Sequence, residues 1–287
     1  MANKVRIGAV SYLNTMPLVH GMKRGLGAER IELSFEVPSV LARQMAAGEI
    51  DIALLPVIAL ADVPDLEVVP GLGITTQGPS RSVLLVSRTT VREIGSVALD
   101  GESRTSNVLA QVLFAEVWNH RPEFTIGPRQ LDQALAEHDA VVRIGDKALF
   151  ESSPDGMCVY DLGQIWTDTT GLPFIFAAWT ARRGVVDREI YGILHASRRE
   201  GASAIDRIAA EFSWNGKRDP QLVRSYLLEH IHYRLGAAEI DAMRLFFEAA
   251  SRQGLVQRPP EIRLALRGWT ECHESADQAA PADSSLP

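Results

Sequence analysis

Gly8-Ala9-Val10-Ser11-Tyr12-Leu13-Asn14-Thr15-Met16-Pro17-Leu18 is the stretch that decides how this chain folds. The apolar run from Val5 to Val10 reads as a strand, the polar residues after it as a turn, and a helix is expected from Thr15 or Pro17. Proline suits the first helical turn, where its missing N–H costs nothing. The backbone N–H groups of that turn then lie free beside Ser11, Tyr12 and Asn14, as an anion site requires. Asn14 adds a donor and an acceptor without adding charge. Taken alone, such a unit is most simply a helix cap. A second turn of the same kind later in the chain lifts it above that.

Working outward, Ile31 to Val37 alternates as a half-buried strand should, and Ser39 is expected to cap a helix that buries Leu41 and Met45 and stops at Gly48. Ile50 to Leu55 is a short buried strand ending at Pro56, so parallel βαβ packing follows. Leu66 to Thr76 is extended, Gly78-Pro79 is a turn, and Arg81 to Ser87 is a further buried strand. The scheme then repeats. Val97-Ala98-Leu99 precedes the polar turn Ser103-Arg104-Thr105-Ser106, and Val108, Leu109, Val112 and Leu113 form a helical apolar stripe. His138 to Val142 mirrors Glu49 to Leu54, and Gly145-Asp146 begins the next helix. Gly171 to Trp179 makes, with Val83 to Ser87, a natural pair of crossings.

The expected fold is α/β with two lobes, each a mixed, mainly parallel sheet flanked by helices, and a ligand cleft between them at the carboxyl ends of the strands. Residues 1–87 plus 178–272 are expected to form one lobe and 88–177 the other, with hinges near Ser87-Arg88 and Ala178-Trp179. Asp187 to about Gly254 reads as helical, interrupted at Trp214-Asn215-Gly216 and returning to the first lobe, with Leu222, Tyr226 and Leu227 as a core face. The small, polar tail 273–287 is expected to be disordered.

Composition narrows the function. At 287 residues, 46% hydrophobic and 23% charged, the chain has ordinary globular character. A net charge of −7 without a basic block argues against nucleic acid and anionic membranes as partners. Two cysteines, Cys158 and Cys272, make no disulfide framework, and no Cys/His cluster has zinc spacing. Met1-Ala2-Asn3-Lys4 carries no apolar leader, so the cytoplasm is the expected compartment. No phosphate-binding loop, dinucleotide fingerprint, nucleophile elbow or zinc-protease motif occurs. The seven histidines read as structural or surface residues, with His20 on the first helix, His138 at a helix end, and His230 and His232 on different faces of a late helix.

Four polar groups remain for the cleft. They are Ser11-Tyr12-Leu13-Asn14, Ser80-Arg81-Ser82, Ser103-Arg104-Thr105-Ser106 and Gly145-Asp146. Helix capping explains the third and fourth individually, and Arg104 fits a ligand carboxylate or a solvent-facing ion pair equally. Their convergence on one edge of two facing lobes is the stronger argument.

Together with Thr15-Met16-Pro17-Leu18, Gly78-Pro79, Ile144 and Thr170-Gly171-Leu172-Pro173-Phe174, these motifs resemble chorismate dehydratase, an enzyme of the futalosine route to menaquinone, in register from about Val5 to Arg183. The resemblance implies a periplasmic-binding-protein-like type II fold. It also implies conversion of chorismate to 3-[(1-carboxyvinyl)oxy]benzoate with loss of water and with no cofactor, Asn14 and Ser82 holding the enolpyruvyl side chain and the leaving hydroxyl. The sister enzyme making 1,4-dihydroxy-6-naphthoate shares the fold, but its first turn differs from the one here. A solute receptor of the same fold is the alternative of another class. Two positions depart from the family pattern. Met16 stands where relatives often carry a basic residue. Arg143 stands where an apolar strand residue is usual, facing either the cleft or the surface. Aromatisation supplies the driving force, so the site needs geometry and electrostatics more than a strong base, and the substrate's own carboxylate is expected to remove the C3 proton.

Overall fold

The computed structural model describes residues 4–266. Cys272 and the tail from residue 273 lie outside them. Two five-stranded sheets organise the chain. The first holds β1 (Val5–Ala9), β2 (Ile31–Phe35), β3 (Ile52–Pro56), β4 (Leu66–Thr76) and β10 (Phe174–Arg182), in the order β2-β1-β3-β10-β4. The second holds β5 (Val83–Ser87), β6 (Ser96–Leu99), β7 (Glu123–Ile126), β8 (Ala140–Ile144) and β9 (Cys158–Asp161), in the order β7-β6-β8-β5-β9. The two share one plan. β1 is parallel to β2 and β3 as β6 is to β7 and β8. β10 then runs antiparallel to β3 and β4, as β5 does to β8 and β9.

This pairing relocates the passages between sheets. β5 hydrogen-bonds in the second sheet and β10, from Phe174 onward, in the first. The chain therefore changes sheet within 77–82 and 171–173, whereas the sequence placed these passages at 87–88 and 177–178. An apolar run specifies a buried strand, but not which sheet takes it.

Helices cover both sheets. α1 (Met16–Lys23), α2 (Pro38–Ala47), α3 (Arg104–Glu116), α4 (Leu131–Glu137), α5 (Gly145–Phe150) and α6 (Leu162–Thr170) alternate with the strands. α7 (Arg188–Ser203), α8 (Ile205–Glu211), α9 (Pro220–Ser225) and α10 (Ala237–Arg252) follow β10. α2 buries Leu41 and Met45 and ends at Gly48 with φ 71°, as expected. Its start differs, because Pro38 rather than Ser39 opens the helix and Val37 occupies the cap position without a side-chain bond. Proline's fixed φ nucleates the turn one residue early.

α1, which carries the first polar turn, is fixed by α7. Ser197 Oγ donates to the Leu18 carbonyl (2.8 Å) and accepts from the Met22 N–H (3.2 Å). A Cβ on Gly201 would lie 1.9 Å from the Pro17 carbonyl oxygen, so the two helices cross backbone to backbone there. α7 and α8 thus pack on the first lobe, while α10 lies against both β10 and α3 and ties the lobes together. One apolar core, including Leu55, Val83, Leu109, Phe174 and Phe246, is continuous across both sheets. His232 lies on an extended segment bridged to Thr75 rather than on a helix. Among the described residues no helix is long and apolar enough to cross a membrane.

Candidate active site

Strand β1 delivers the chain into a single 3-10 turn, Leu13–Thr15, that leads directly into α1. No side chain caps α1. Its neighbour from the second lobe reaches it instead, since the Leu13 N–H points at the Asp146 carboxylate (3.2 and 3.4 Å). Part of the helix-start field expected to hold a ligand is therefore taken by a protein carboxylate. Asp146 does not cap its own helix, as the sequence suggested, because α5 begins without a side-chain cap and the carboxyl turns across the cleft. Burial raises its pKa from 3.8 to about 6, against the opposing pull of the Leu13 N–H. Gly145, at φ 62°, makes the left-handed turn that aims it, and the Gly145 N–H donates to the Ser82 carbonyl (2.8 Å).

One cleft gathers groups from both lobes. Tyr12 and Asn14 from the first turn face Ser82, Ser103, Thr105, Ser106 and Gly145, with Val10, Leu54, Ile74 and Phe176 as an apolar floor. Among the described residues Glu102 is the one charged side chain lining it, so its polar groups are largely uncharged hydroxyls and an amide. Three groups are interlocked. Tyr226, 1% exposed, donates its phenolic proton to Ser82 Oγ (2.8 Å) and accepts from Asn14 Nδ2 (3.2 Å). Asn14 Oδ1 is buried and has no hydrogen-bond partner among the described residues. Thr105 Oγ1 is tied to the Ile58 N–H (3.3 Å), and Ser103 caps α3 by accepting from the Ser106 N–H (3.3 Å).

A second, ionic cavity of about 200 Å³ adjoins the cleft and shares Tyr12, Glu102 and Ile144 with it. Lys147 is 2.6 Å from Asp100 and 3.2 Å from Glu102, and Arg129 is 3.1 Å from Glu102. Arg143 faces neither alternative of the sequence. It is buried in this cavity, ion-paired with Glu151, and donates to the Arg129 carbonyl (2.8 Å). Burial lowers its pKa.

Other expected site residues are elsewhere. Ser11 is exposed and outside the cleft lining. Leu13 is fully buried and contributes only its N–H. Arg104 pairs with Asp62 on the surface. Ser80 and Arg81 turn toward Asp161, whose carboxylate accepts from the Ser80 N–H (3.0 Å), Ser80 Oγ (3.1 Å) and Arg81 N–H (2.6 Å). The same carboxylate caps α6 through Gly163 and Gln164. Sequence reasoning missed this clamp, although an aspartate just ahead of an apolar helix is a recognisable cap. The sequence places Tyr226 on a core face, and no local pattern distinguishes a core tyrosine from one whose oxygen holds two cleft side chains.

Comparison with known proteins agrees with this architecture. The model of the menaquinone biosynthesis family matches residues 5–252. A chorismate dehydratase of Thermus thermophilus is 27% identical over 262 residues, covering 85% of this chain and 94% of its own. One of Campylobacter jejuni is 28% identical over 256 residues, covering 86% and 98%. In structure, the chain resembles the periplasmic aliphatic sulphonate binding protein of Escherichia coli, with a TM-score of 0.62 at 18% identity over 91% of each chain. The strand order fits that type II fold, with its paired crossings between two like sheets. Because the family match runs from β1 through α10 and so takes in both lobes and the cleft between them, the chain belongs to the menaquinone biosynthesis family.

Proposed function

We propose that this chain is a chorismate dehydratase acting in the cytoplasm. The family and the curated relatives support a chorismate substrate. The observation that carries the reading is the pair Asn14 and Ser82, held by one phenol in a cleft of largely uncharged donors. In the proposed reaction the enolpyruvyl carboxylate of chorismate removes the C3 proton. The C4 hydroxyl departs as water with a proton, and the ring becomes aromatic. Electrons shift only within the substrate, so no cofactor is called for.

Asn14 and Ser82 orient the enolpyruvyl arm and the leaving hydroxyl, and Tyr12, Ser103, Thr105 and Ser106 wall the ring. A preorganised set of neutral dipoles is sufficient because the base is intramolecular. Incubation of the purified protein with chorismate tests the reading. Formation of 3-[(1-carboxyvinyl)oxy]benzoate with the characteristic aromatic absorbance is expected. Tight chorismate binding without turnover would instead identify a solute receptor, and no interaction at all would favour the sister naphthoate-forming activity.

A further inference from the structure

We propose that Tyr226 is a positioning residue of this site, setting the direction in which the Ser82 hydroxyl donates and the face that the Asn14 amide presents; this rests on the dehydratase reading. A phenol has one proton to give and lone pairs to accept with. The proton of Tyr226 goes to Ser82 Oγ, so the hydroxyl proton of Ser82 must point elsewhere, and Ser82 lines the cleft. The phenol oxygen accepts from Asn14 Nδ2, which fixes the flip of the amide. In the opposite flip, Oδ1 would face an oxygen whose single proton is already committed. Oδ1 is accordingly turned from the phenol and left buried without a partner among the described residues. Such an acceptor is costly while unmet, and a ligand hydroxyl is the group that meets it. One phenol thereby yields a donor at Ser82 and an acceptor at Asn14.

The backbone is built to hold the phenol still. Tyr226 begins a single π-helical stretch, Tyr226–His230, spliced onto α9. Such an insertion rotates the residues around it and often marks a functional site. The segment is then stitched to the strand end that leads into Ser82. Thr76 Oγ1 donates to the His230 carbonyl (3.0 Å), His230 Nδ1 lies 3.1 Å from the Pro79 carbonyl, and Thr75 and His232 exchange backbone bonds of 2.9 Å. Burial pushes the Tyr226 pKa up, and its bonds to Ser82 and Asn14 oppose this only in part. The phenol therefore stays protonated.

The test compares wild type, Tyr226→Phe, Ser82→Ala and the double variant, each with chorismate as substrate and with a melting curve. Tyr226→Phe should keep its melting temperature within a few degrees, lose tenfold or more in kcat and change KM less than threefold. In the Ser82→Ala background the same change should cost less than twofold. Were Tyr226→Phe to misfold, 3-fluorotyrosine at 226 serves instead, since it keeps the fold and strengthens the donor, and a kcat shift of twofold or more is expected. A folded Tyr226→Phe with kcat within twofold of wild type, a loss fully additive with Ser82→Ala, or a fluorotyrosine protein with unchanged kcat would overturn the inference alone. A wild type that forms no product would overturn the dehydratase reading and this inference with it.

Discussion

The turn after β1 and the turn after β6 stand at the same place in two sheets of the same plan, and both are rich in polar side chains. They use those side chains in opposite ways. The β6 turn consumes its polar groups internally. Asn107 accepts from the Asp100 N–H (3.1 Å) and donates to its carbonyl (2.7 Å), Asp100 accepts from the Glu102 N–H (2.8 Å), and Ser103 caps α3. Lys147 closes the set with ion pairs to Asp100 and Glu102. The β1 turn binds Asp146 and Tyr226 but leaves one acceptor unmet. Among the described residues α1 has no side-chain cap and Asn14 Oδ1 has no partner. A turn that satisfies itself contributes stability, whereas one that leaves an acceptor unmet stores binding potential for a ligand. Similar composition at equivalent sites therefore gives a largely self-satisfied wall of the cleft on one side and an acceptor left for a ligand on the other.

The sharpest way to break that contrast is Lys147→Ala. It strands Asp100, whose side chain is only 4% exposed, and takes one of two cations from Glu102, so it should cost about 3–5 kcal/mol in urea-induced unfolding. Asn14→Ala and Ser82→Ala should do the reverse, lowering kcat by about 10²-fold with little change in KM or melting temperature. Equal rates in both variants and wild type would remove the β1 turn from the chemistry.

Asp146 links the two lobes and gives a pH signature. Because its folded pKa is raised from 3.8 to about 6, the folded protein holds a proton that the unfolded chain has lost within that window. Stability should therefore decline as pH rises from about 4 to 6, by up to about 3 kcal/mol at 1.36 kcal/mol per pKa unit. In Asp146→Asn, where the amide oxygen still accepts from Leu13, that slope should vanish and stability at pH 7.5 should exceed wild type. Urea midpoints at pH 4.5 and 7.5 check both. The smallest effect belongs to Arg104→Ala. Its ion pair with Asp62 is exposed on both sides, so stability should move by less than about 0.5 kcal/mol and the chorismate KM should hold. A raised KM would return Arg104 to the ligand, as the sequence had allowed.

Much of the frame is legible in the chain. The Leu66–Thr76 strand, the Gly48 stop, the apolar stripe of α3 and the alternation of strand and helix all follow from period and turn chemistry. Candidate site residues were legible as types rather than as directions. Ser80, Arg81 and Ser82 look alike along the chain, yet Asp161 claims the first two and leaves Ser82 facing the cleft. Asp146 looks like a cap and instead reaches Leu13, 133 residues away. Tyr226 is 144 residues from Ser82, and nothing near it in the chain announces the contact.

By itself, then, the amino-acid order determined the α/β class, the two repeated halves and the set of uncharged groups available for a ligand, because periodicity, capping and turn preferences act over a few residues. Tertiary structure alone decided which sheet received β5 and β10, which polar groups were spent on Asp161 and Lys147, and which oxygen was left unmet at Asn14. Those outcomes depend on where a side chain's hydrogen bonds end in space, and partners far apart along the chain leave no local trace.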